Sequence, residues 1–273
     1  MKVNGQTLLG HALESVLPHC RDVRVVISKN HLPLFGNADP GDEIKYEVIE
    51  HNSQLNHIVS DNDMILDSAD YFPKSDSLEG LMAGIYKVRY SWDLLSCQEK
   101  HIVKTGIINE GQVEAGAVVS GHIRIGKGTL IKSGACIEGH VTIGDNCIIG
   151  PNCYIRGFCT IGNNCRIGNA VEIKNSILGD NVNVCHLSYA GDSVIGDCAN
   201  LGAGFISSNL RHDGALIVTR LNGEKVDTKR QKLGAIIGDG VHTGINTSTY
   251  PGRKIWPGIA TLPGTIVTRD IET

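Results

Sequence analysis

Polar side chains are concentrated in three short runs late in the chain, at residues 186–192 (HLSYAGD), 200–204 (NLGAG) and 207–209 (SSN). His186 is the residue in these runs whose ordinary pKa lies nearest neutrality, so its imidazole could remove a proton from a substrate as a general base. A histidine on its own is more often structural than catalytic. Whether His186 is catalytic or structural therefore depends on the secondary-structure elements that position the three runs.

The stretch that precedes these runs has a strict six-residue period. Every sixth residue from Ile107 to Ile173 is Ile or Val, and the residue two positions earlier is mostly small or β-branched. This period fits neither a helix nor an alternating strand. It is typical of a hexapeptide-repeat parallel β-helix, in which about 18 residues form one triangular coil. The aliphatic residues then fill the core, so a site must use turns, register breaks and insertions.

The chain is predicted to be mainly β. We expect a left-handed parallel β-helix over residues 101–273, with an inserted loop at 208–233, after a small α/β domain over residues 1–100. The periodicity of that domain predicts a helix at 8–17, strands at 23–28, 44–49 and 58–66, helix then strand at 78–88, and a helix that begins at 92–95.

Register breaks and the insertion fall in the same region as the polar runs. Spacings of five instead of six at 173–178 and 190–195 predict one-residue deletions on either side of His186. Residues 211–232 carry six Lys/Arg and three Asp/Glu, in a chain of net charge −4. This loop is either a solvated hairpin or a basic arm that reaches a phosphate.

Composition excludes several classes of protein. The net charge of −4 argues against a general nucleic-acid binder. No apolar run approaches the ~18 residues of a membrane span, and the N-terminus is unlike a signal peptide. There is no C-x-x-C pair among the nine cysteines. Four of them, Cys147, Cys153, Cys159 and Cys165, recur at every sixth position, where the repeat has its small inward residue, so we expect buried, reduced thiols and a cytoplasmic protein.

The polar runs and their neighbours resemble one enzyme family. The matching segments are Arg156, 171–176 (VEIKNS), 186–197 (HLSYAGDSVIGD), 200–204, 208–214 (SNLRHDG) and 244–252 (GINTSTYPG). They are similar to the acetyltransferase half of the bifunctional glucosamine-1-phosphate acetyltransferase/N-acetylglucosamine-1-phosphate uridyltransferase, and most similar to archaeal sugar-1-phosphate nucleotidylyltransferase/acetyltransferases. The resemblance covers residues 105–270 and is more specific than the period of six.

The resemblance implies an acetyl-CoA-dependent N-acetyltransferase that acts on an amino-sugar 1-phosphate in UDP-N-acetylglucosamine biosynthesis, with no metal required. His186 would take the proton from the substrate amine. The Ala203 N–H would stabilise the oxyanion formed at the thioester, and Gly244 would also lie at the cofactor. The implied substrate-binding residues are Arg156 and Lys174 for the phosphate, Tyr189 and Asn200 for the sugar, and Asn209 and Arg211 in the loop.

Spacing places these residues relative to His186. The histidine stands two residues after the inward Val184, so its ring should point out of the prism at a turn. Asn200 and Ala203 follow it after close to one coil of chain, so both should lie just above it in the stack.

The family resemblance also sets expectations for assembly and for the N-terminal part. Its members act as homotrimers with sites between neighbouring β-helices, on small-molecule substrates rather than nucleic acid or membrane. Complete relatives begin with a nucleotidyltransferase domain that carries a G-x-G-x-R loop. Residues 1–100 contain no such loop, so we expect a shortened remnant or a different small domain, and no nucleotidyl transfer.

Three alternatives stay open. The first is an acetyltransferase of the same fold with another acceptor, such as a nucleotide-linked amino sugar or a sugar hydroxyl. The second is a metal hydratase like γ-carbonic anhydrase, because His122 and His140 are one coil apart in the repeat and should stack. Phe158 comes next in that series, so we expect two exposed turn histidines instead. The third is a non-catalytic trimeric scaffold.

Overall fold

The structure, a computed structural model, describes residues 2–3, 6–7, 23–28, 44–49, 71–73, 85–87, 90–100, 106–221 and 223–272. Contacts between Cα atoms divide the chain into two units, one of Met1–Gln6 with Arg89–Thr273 and the other of Thr7–Val88. The predicted division into residues 1–100 and 101–273 stays a prediction, since much of the first range lies outside the described residues.

Six short strands are described before residue 90. They are β1 (Lys2–Val3), β2 (Gln6–Thr7), β3 (Val23–Ser28), β4 (Ile44–Ile49), β5 (Tyr71–Pro73) and β6 (Ile85–Lys87). β3 and β4 pair in parallel, β5 and β6 pair antiparallel, and β1 and β2 form a further two-stranded sheet. The strands predicted at 23–28 and 44–49 are confirmed. The helix predicted at 8–17, the strand at 58–66 and most of 78–88 lie outside the described residues.

A parallel β-helix occupies the rest of the chain. After helix α1 (Asp93–Lys100), its strands are β7 (Ile107–Asn109), β8 (Gln112–Val113), β9 (Val118–Ile125), β10 (Leu130–Ile131), β11 (Cys136–Ile143), β12 (Ile148–Ile149), β13 (Tyr154–Ile161), β14 (Arg166–Asn169), β15 (Glu172–Lys174), β16 (Ile177–Leu178), β17 (Asn183–His186), β18 (Tyr189–Gly191), β19 (Val194–Ile195), β20 (Asn200–Leu201), β21 (Ile206–Ser207), β24 (Ile236–Ile237), β25 (Ser248–Thr249), β26 (Lys254–Ile255) and β27 (Ile266–Val267). Between β21 and β24, strands β22 (Val218–Leu221) and β23 (Glu224–Asp227) form a separate antiparallel pair. The predicted class, mainly β with a hexapeptide β-helix of the left-handed type, is confirmed.

The β-helix has three faces. The first face is the six-stranded sheet of β8, β10, β12, β14, β17 and β20. The second and third faces belong to one bent sheet, because the eight-residue strands β9, β11 and β13 turn a corner at their middle glycines. At one such corner Gly139 has φ +102°, and a Cβ there would stand 2.6 Å from the Gly157 carbonyl oxygen. Only glycine fits this bend.

Aliphatic side chains fill the prism as predicted from Ile123 onward. Ile125, Ile131, Ile149 and the residues that follow them in the series are fully buried. The first coil differs, because Ile107 and Val113 are exposed. Ile107 pairs with Ile123 rather than Ile125, which takes it out of the six-residue register. A terminal coil also has a neighbour on one side only, so its inward residues are less covered.

The predicted register slips are confirmed. Low in the stack, paired residues are separated by three full hexapeptides, as in Ile149↔Ile167. Above β13 they are separated by one residue fewer, as in Ile173↔Ala190, so each of these coils is one residue shorter. The predicted insertion is also present, because Ile195 pairs with Ile237, more than two coils of chain later. The next pair, Ile237↔Ile255, returns to three full hexapeptides.

This insertion forms an arm built on a hairpin. β22 and β23 pair antiparallel, with Arg220 opposite Lys225. Lys254, a residue that is 7% exposed, fixes the hairpin to the last coils. Its ammonium donates to Thr219 Oγ1 at 2.7 Å and to the Arg220 carbonyl at 2.6 Å, and it pairs with Asp270 at 2.6 Å. A second contact ties the arm to α1, because Arg230 pairs with Glu99 at 2.6 Å.

The helix predicted to begin at 92–95 is confirmed as α1. The Asp93 carboxylate accepts a hydrogen bond from the Tyr90 N–H at 3.0 Å, so it reaches back to the residue before the first turn, as the N3 side chain of a capping box does. Leu94 and Leu95 are buried, and Gln98 hydrogen-bonds the Phe158 carbonyl and Thr160 of β13. Within the described residues, no helix has the length and apolar character that a membrane crossing requires.

One corner of the prism carries a ladder of side-chain caps. The Lys127 N–H donates to Asp145 Oδ1 of the following coil at 2.7 Å, and the Asp145 N–H donates to Asn163 at 2.9 Å. The same contact repeats upward to Asp180, Asp197 and Asp239. These polar side chains satisfy turn donors that no strand can reach.

The inward cysteines are packing thiols, as predicted. Cys147, Cys153, Cys159 and Cys165 are at most 2% exposed, and all four are free thiols. Cys165 stacks one coil above Cys147, and its N–H lies 3.4 Å from the Cys147 sulfur. These cysteines therefore belong to the core of the prism and not to a site on its surface.

Candidate functional site

Two predicted phosphate-binding cations lie side by side on the second face. Arg156 of β13 is in register with Lys174 of β15 because their positions recur once per coil. Side chains at equivalent positions of a parallel ladder are about 4.8 Å apart. Both are partly exposed, and both point outward because the neighbouring Ile155 and Ile173 point inward. The sequence therefore places two cations on one outer surface.

Each of these cations has a carboxylate partner. Arg156 places Nε 2.8 Å and Nη2 2.7 Å from Glu172 Oε1, with both side chains about one third exposed. Lys174 Nζ lies 2.8 Å from Asp192 Oδ2, where the side chains are 12% and 3% exposed. The Lys174 pair is therefore largely removed from water, and the Arg156 pair is open to it. An anion on this face could contact the guanidinium without first displacing a buried partner.

Asp192 connects the sheet to the base of the arm. Besides Lys174, its carboxylate accepts hydrogen bonds from Asn209 Nδ2 at 2.6 Å and from Asn175 Nδ2 at 3.4 Å. Its carbonyl accepts one from the Gly234 N–H at 2.8 Å, where the chain returns from the arm. One buried acid thus sets the positions of a cation and two amides.

Tyr189 lies over Gly191 and reaches Asn209. A Cβ on Gly191 would collide with the Tyr189 hydroxyl, so only glycine leaves room for the phenol. The hydroxyl oxygen accepts a hydrogen bond from Asn209 Nδ2 at 3.0 Å, which leaves its own O–H free to donate. Burial, then the charges of Asp192 and Glu172, raise the pKa of Tyr189 above its ordinary value. The phenol therefore stays protonated and can donate to a ligand.

His186 ends β17 at the corner between the first and second faces. It is exposed and follows the buried Val184, so the predicted outward direction is confirmed. Its backbone carbonyl accepts from Ser188 Oγ at 2.7 Å and from the Gly204 N–H at 3.2 Å. These bonds fix the backbone of the corner while the imidazole faces outward, three residues before Tyr189.

Ala203 lies directly above this corner, as predicted, because the Gly204 N–H bonds to His186. No hydrogen bond from the Ala203 N–H to another described residue is present, in contrast to the capped donors of the Asp145 corner. Gly244 lies one coil higher, since a Cβ on Gly202 would meet its carbonyl at 2.8 Å. A backbone donor with no described partner thus lies beside the histidine corner.

Asn200 does not lie above His186, so that expectation is wrong. It pairs with Asn183, at the other end of β17, with His242 above it. Three residues of strand separate these positions by about 10 Å. Because the coil is one residue shorter, the residue that lies one coil above His186 is Ala203 and not Asn200. Asn200 therefore lies on the first face, away from Tyr189 and Lys174.

Arg211 is also separate from the second-face residues. It makes a two-point contact with the exposed Asp213, at 2.8 Å from Nε and 2.5 Å from Nη2. It lines a cavity of about 350 Å³ on the arm with Val218, Thr219, Arg220, Lys225 and Arg253. Asn209, two residues earlier, remains with Tyr189 and Asp192.

The two repeat-spaced histidines are not exposed turn residues, so that expectation is wrong. His122 and His140 lie within strands β9 and β11, are partly buried, and stack with ring centroids 4.8 Å apart. Phe158 continues the stack at 5.0 Å and occupies the place of a third ligand. In the portion of the chain that the structure describes, no three His, Cys, Asp or Glu residues form a group suited to a metal.

Comparison with known proteins gives one matching family model and several similar chains. Residues 140–175 match the family described as Bacterial transferase hexapeptide (six repeats). The chain is 50% identical over 185 residues to the bifunctional protein GlmU of Methanococcus maripaludis, covering 68% of this chain and 45% of that protein. It is 42% identical over 102 residues to the bifunctional sugar-1-phosphate nucleotidylyltransferase/acetyltransferase of Sulfurisphaera tokodaii, covering 37% and 25%.

Fold and repeat together define the class, and the chain is a hexapeptide-repeat β-helix protein. Its resemblance to the acetyltransferase half of bifunctional GlmU-type proteins, archaeal ones included, is confirmed. The chain spans about half the length of the curated relatives it matches. A solved hexapeptide transferase family protein from Anaplasma phagocytophilum aligns over 57% of this chain and 78% of that chain, with a TM-score of 0.32 and 14% identity, and such a match says nothing about substrate.

Proposed function

We propose that this protein is an acyltransferase that uses acetyl-CoA to acetylate the amine of an amino-sugar 1-phosphate. The observation that carries the proposal is the arrangement on the second face and its corner with the first face. The outward histidine, the protonated phenol and the Ala203 N–H lie at or next to that corner, and the two cations lie at the other end of the second-face strands; from Arg156 to Ala203 the set spans nearly three coils. The names of the archaeal relatives support the same class of reaction.

The phosphate group would be held by Arg156, with Lys174 behind it, since phosphate accepts charge-assisted hydrogen bonds from both. The Tyr189 O–H would donate to a sugar oxygen, with Asn209 holding the phenol in place. The sugar amine would then point toward the His186 corner. Asn200 would contact the sugar only from a neighbouring β-helix, because it lies on the first face.

The chemistry requires a neutral amine and a stabilised oxyanion. As the amine nitrogen attacks the thioester carbonyl carbon, His186 takes its proton, and the carbonyl oxygen gains the negative charge. The Ala203 N–H would donate to that oxygen, with Gly244 beside the cofactor. The tetrahedral intermediate then collapses, the C–S bond breaks and CoA leaves as the thiol after it regains the proton. This proposal includes no nucleotidyl transfer, and no metal takes part.

Other parts of the proposal concern assembly and location. A homotrimer would bring an Asn200 face of one β-helix against the His186 corner of the next, as cyclic closure allows. We propose a cytoplasmic trimer that acts on small molecules. Acetyl transfer to another amino sugar or to a sugar hydroxyl is the second candidate, because the described contacts constrain the phosphate and phenol positions more than the acceptor atom.

The decisive experiment is a thiol-release assay with acetyl-CoA. Glucosamine-1-phosphate, galactosamine-1-phosphate and the two unphosphorylated sugars would be compared as acceptors. His186→Ala should lower kcat by about 10²–10⁴, the range for loss of a general base, and leave acetyl-CoA binding intact. His212→Ala, an exposed histidine on the arm, is the matched control and should keep wild-type kcat. A His186→Ala enzyme with near wild-type kcat at neutral pH would remove the base from this mechanism.

A further inference from the structure

A cavity on the arm is lined mainly by cations. Its volume is about 350 Å³, and four of its six lining residues are Arg211, Arg220, Lys225 and Arg253. This size is at the lower end of the ~300–1,000 Å³ typical of small-ligand sites. In a chain of net charge −4, four cations around one cavity need a physical reason.

Carboxylates within the described residues do not neutralise this cluster. Asp213 pairs with Arg211, and Asp270 lies 3.9 Å from Arg253. Asp270 makes a much closer pair with the buried Lys254 at 2.6 Å. With Lys254 included, five cations face two carboxylates, so three positive charges are in excess among these described residues. The cavity is therefore a centre of positive potential.

Like charges also stand directly opposite each other in the hairpin. Arg220 and Lys225 are cross-strand partners in β22 and β23. Like charges at directly opposite positions destabilise a pair of strands. Arg220 relieves part of this by donating to the Gly223 carbonyl at 3.0 Å, and no described acid pairs with either residue. An anion between the two side chains would turn this repulsion into two attractive contacts.

The walls of the cavity are positioned by contacts that do not involve a ligand. Lys254 anchors Thr219 and Arg220 from behind, as described above. Arg253 donates to the Val218 carbonyl at 3.2 Å and is only 17% exposed, so its guanidinium is held in one orientation. A site whose cations are already oriented loses little entropy when it binds an anion.

We propose that this cavity is a binding site for a diphosphate group. Two adjacent phosphoryl groups offer oxygens to several cations at once, and planar guanidinium groups match such oxygens in pairs. A nucleoside diphosphate, a nucleotide sugar and the diphosphate of CoA share this chemistry. The site does not depend on the acetyl-transfer proposal, because its residues are separate from Arg156, Lys174 and His186.

The test is titration calorimetry of the whole chain with inorganic pyrophosphate at fixed, moderate salt. Saturable binding is expected, and Lys225→Gln and Arg220→Gln should each weaken it by on the order of 10-fold, because each removes a charge-assisted contact. Lys229→Gln is the matched control. It removes an exposed cation from the same arm, paired with Asp227 and outside the cavity, and should change the affinity less than about 2-fold.

Two outcomes would overturn the proposal: no saturable binding of pyrophosphate by the wild type, or an equal loss in Lys229→Gln and the cavity variants. Since Lys225 and Arg220 are exposed, neither variant should disturb folding, and circular dichroism checks this. Titrations with UDP and with CoA then identify which kind of molecule supplies the diphosphate group. A ligand whose binding falls in Lys225→Gln but not in Lys229→Gln uses the cavity.

Discussion

The ion pair between Lys174 and Asp192 is the contact in the site whose loss should be most costly. Replacing Asp192 by Leu leaves the Lys174 ammonium without its anion, in a side chain that is 12% exposed. It also removes one acceptor each from Asn209, which keeps the Tyr189 oxygen, and from Asn175. Breaking a buried pair from one side costs about 3–5 kcal/mol of unfolding free energy. Lys174→Met should cost less, about 2–3 kcal/mol, since two amide donors still solvate the carboxylate.

The double variant, Lys174→Met with Asp192→Leu, should be less destabilised than the sum of the two single variants. Replacement of a whole buried pair by apolar side chains is often close to neutral, and here the main remaining cost is the two amides that lose an acceptor. We expect a coupling free energy of about 3 kcal/mol. Urea unfolding at one fixed protein concentration measures it, because any assembly makes stability depend on concentration.

The same cycle on the exposed pair Arg211 and Asp213, as Arg211→Gln and Asp213→Asn, is the control. Both side chains are about half exposed, so their coupling should not exceed the measurement error. If the Lys174–Asp192 cycle were additive to within about 0.5 kcal/mol, the two charges would not be acting as a buried pair. Asp192 would then not be the residue that positions the site.

Three further predictions concern substrate, assembly and thiol reactivity. Arg156→Gln should raise KM for a phosphorylated acceptor by about 10-fold through loss of a charge-assisted contact, with an unphosphorylated sugar unaffected; equal losses on both acceptors would make Arg156 structural. Light scattering should give three times the 29.3 kDa chain mass, and a monomer would contradict a site shared between subunits. At about pH 8 an alkylating reagent should modify the exposed Cys198 and leave Cys153 and Cys159 intact, because burial raises the pKa of each of these two thiols to about 12 and leaves almost no reactive thiolate. Mass spectrometry identifies the modified sites, and early labelling of Cys159 would show that the prism opens.

The repeat made much of this fold predictable. A period of six gives both the inward set and the pairs one coil apart, so the neighbours Arg156 and Lys174 follow from counting alone. The shortened spacings between aliphatic residues also predicted where the coils lose a residue. The prediction that Ile107 is buried is wrong. Its strand pairs with the next coil two residues out of the regular register, and this shift leaves the spacing of aliphatic residues in the sequence unchanged.

Other parts of the site depend on how corners and the arm fold. Asp192 stands among ordinary turn residues in the sequence, and its importance comes from Asn209, which approaches it only where the arm leaves the prism. The resemblance grouped Arg211 with Asn209, but the hairpin directs it to a separate cavity. Spacing alone misplaces Asn200, because its 14-residue separation from His186 is three short of the 17 residues that separate paired positions here, and the ladder pairs it with Asn183. Glu172 and Gly191 could have been found by their register with Tyr189 and Lys174.

The ladder of corner caps has a consequence for synthesis on the ribosome. Each cap belongs to the coil that follows, so the corner donor of Lys127 waits for Asp145, that of Asp145 for Asn163, and so on in chain order. A nascent β-helix therefore always exposes one uncapped corner at its growing end, and each new coil covers it. The series ends at Asp239, because the next coil places Pro257 at that position, and its ring offers no acceptor. The caps therefore form in the order in which the chain is made, and the series has no further acceptor at Pro257.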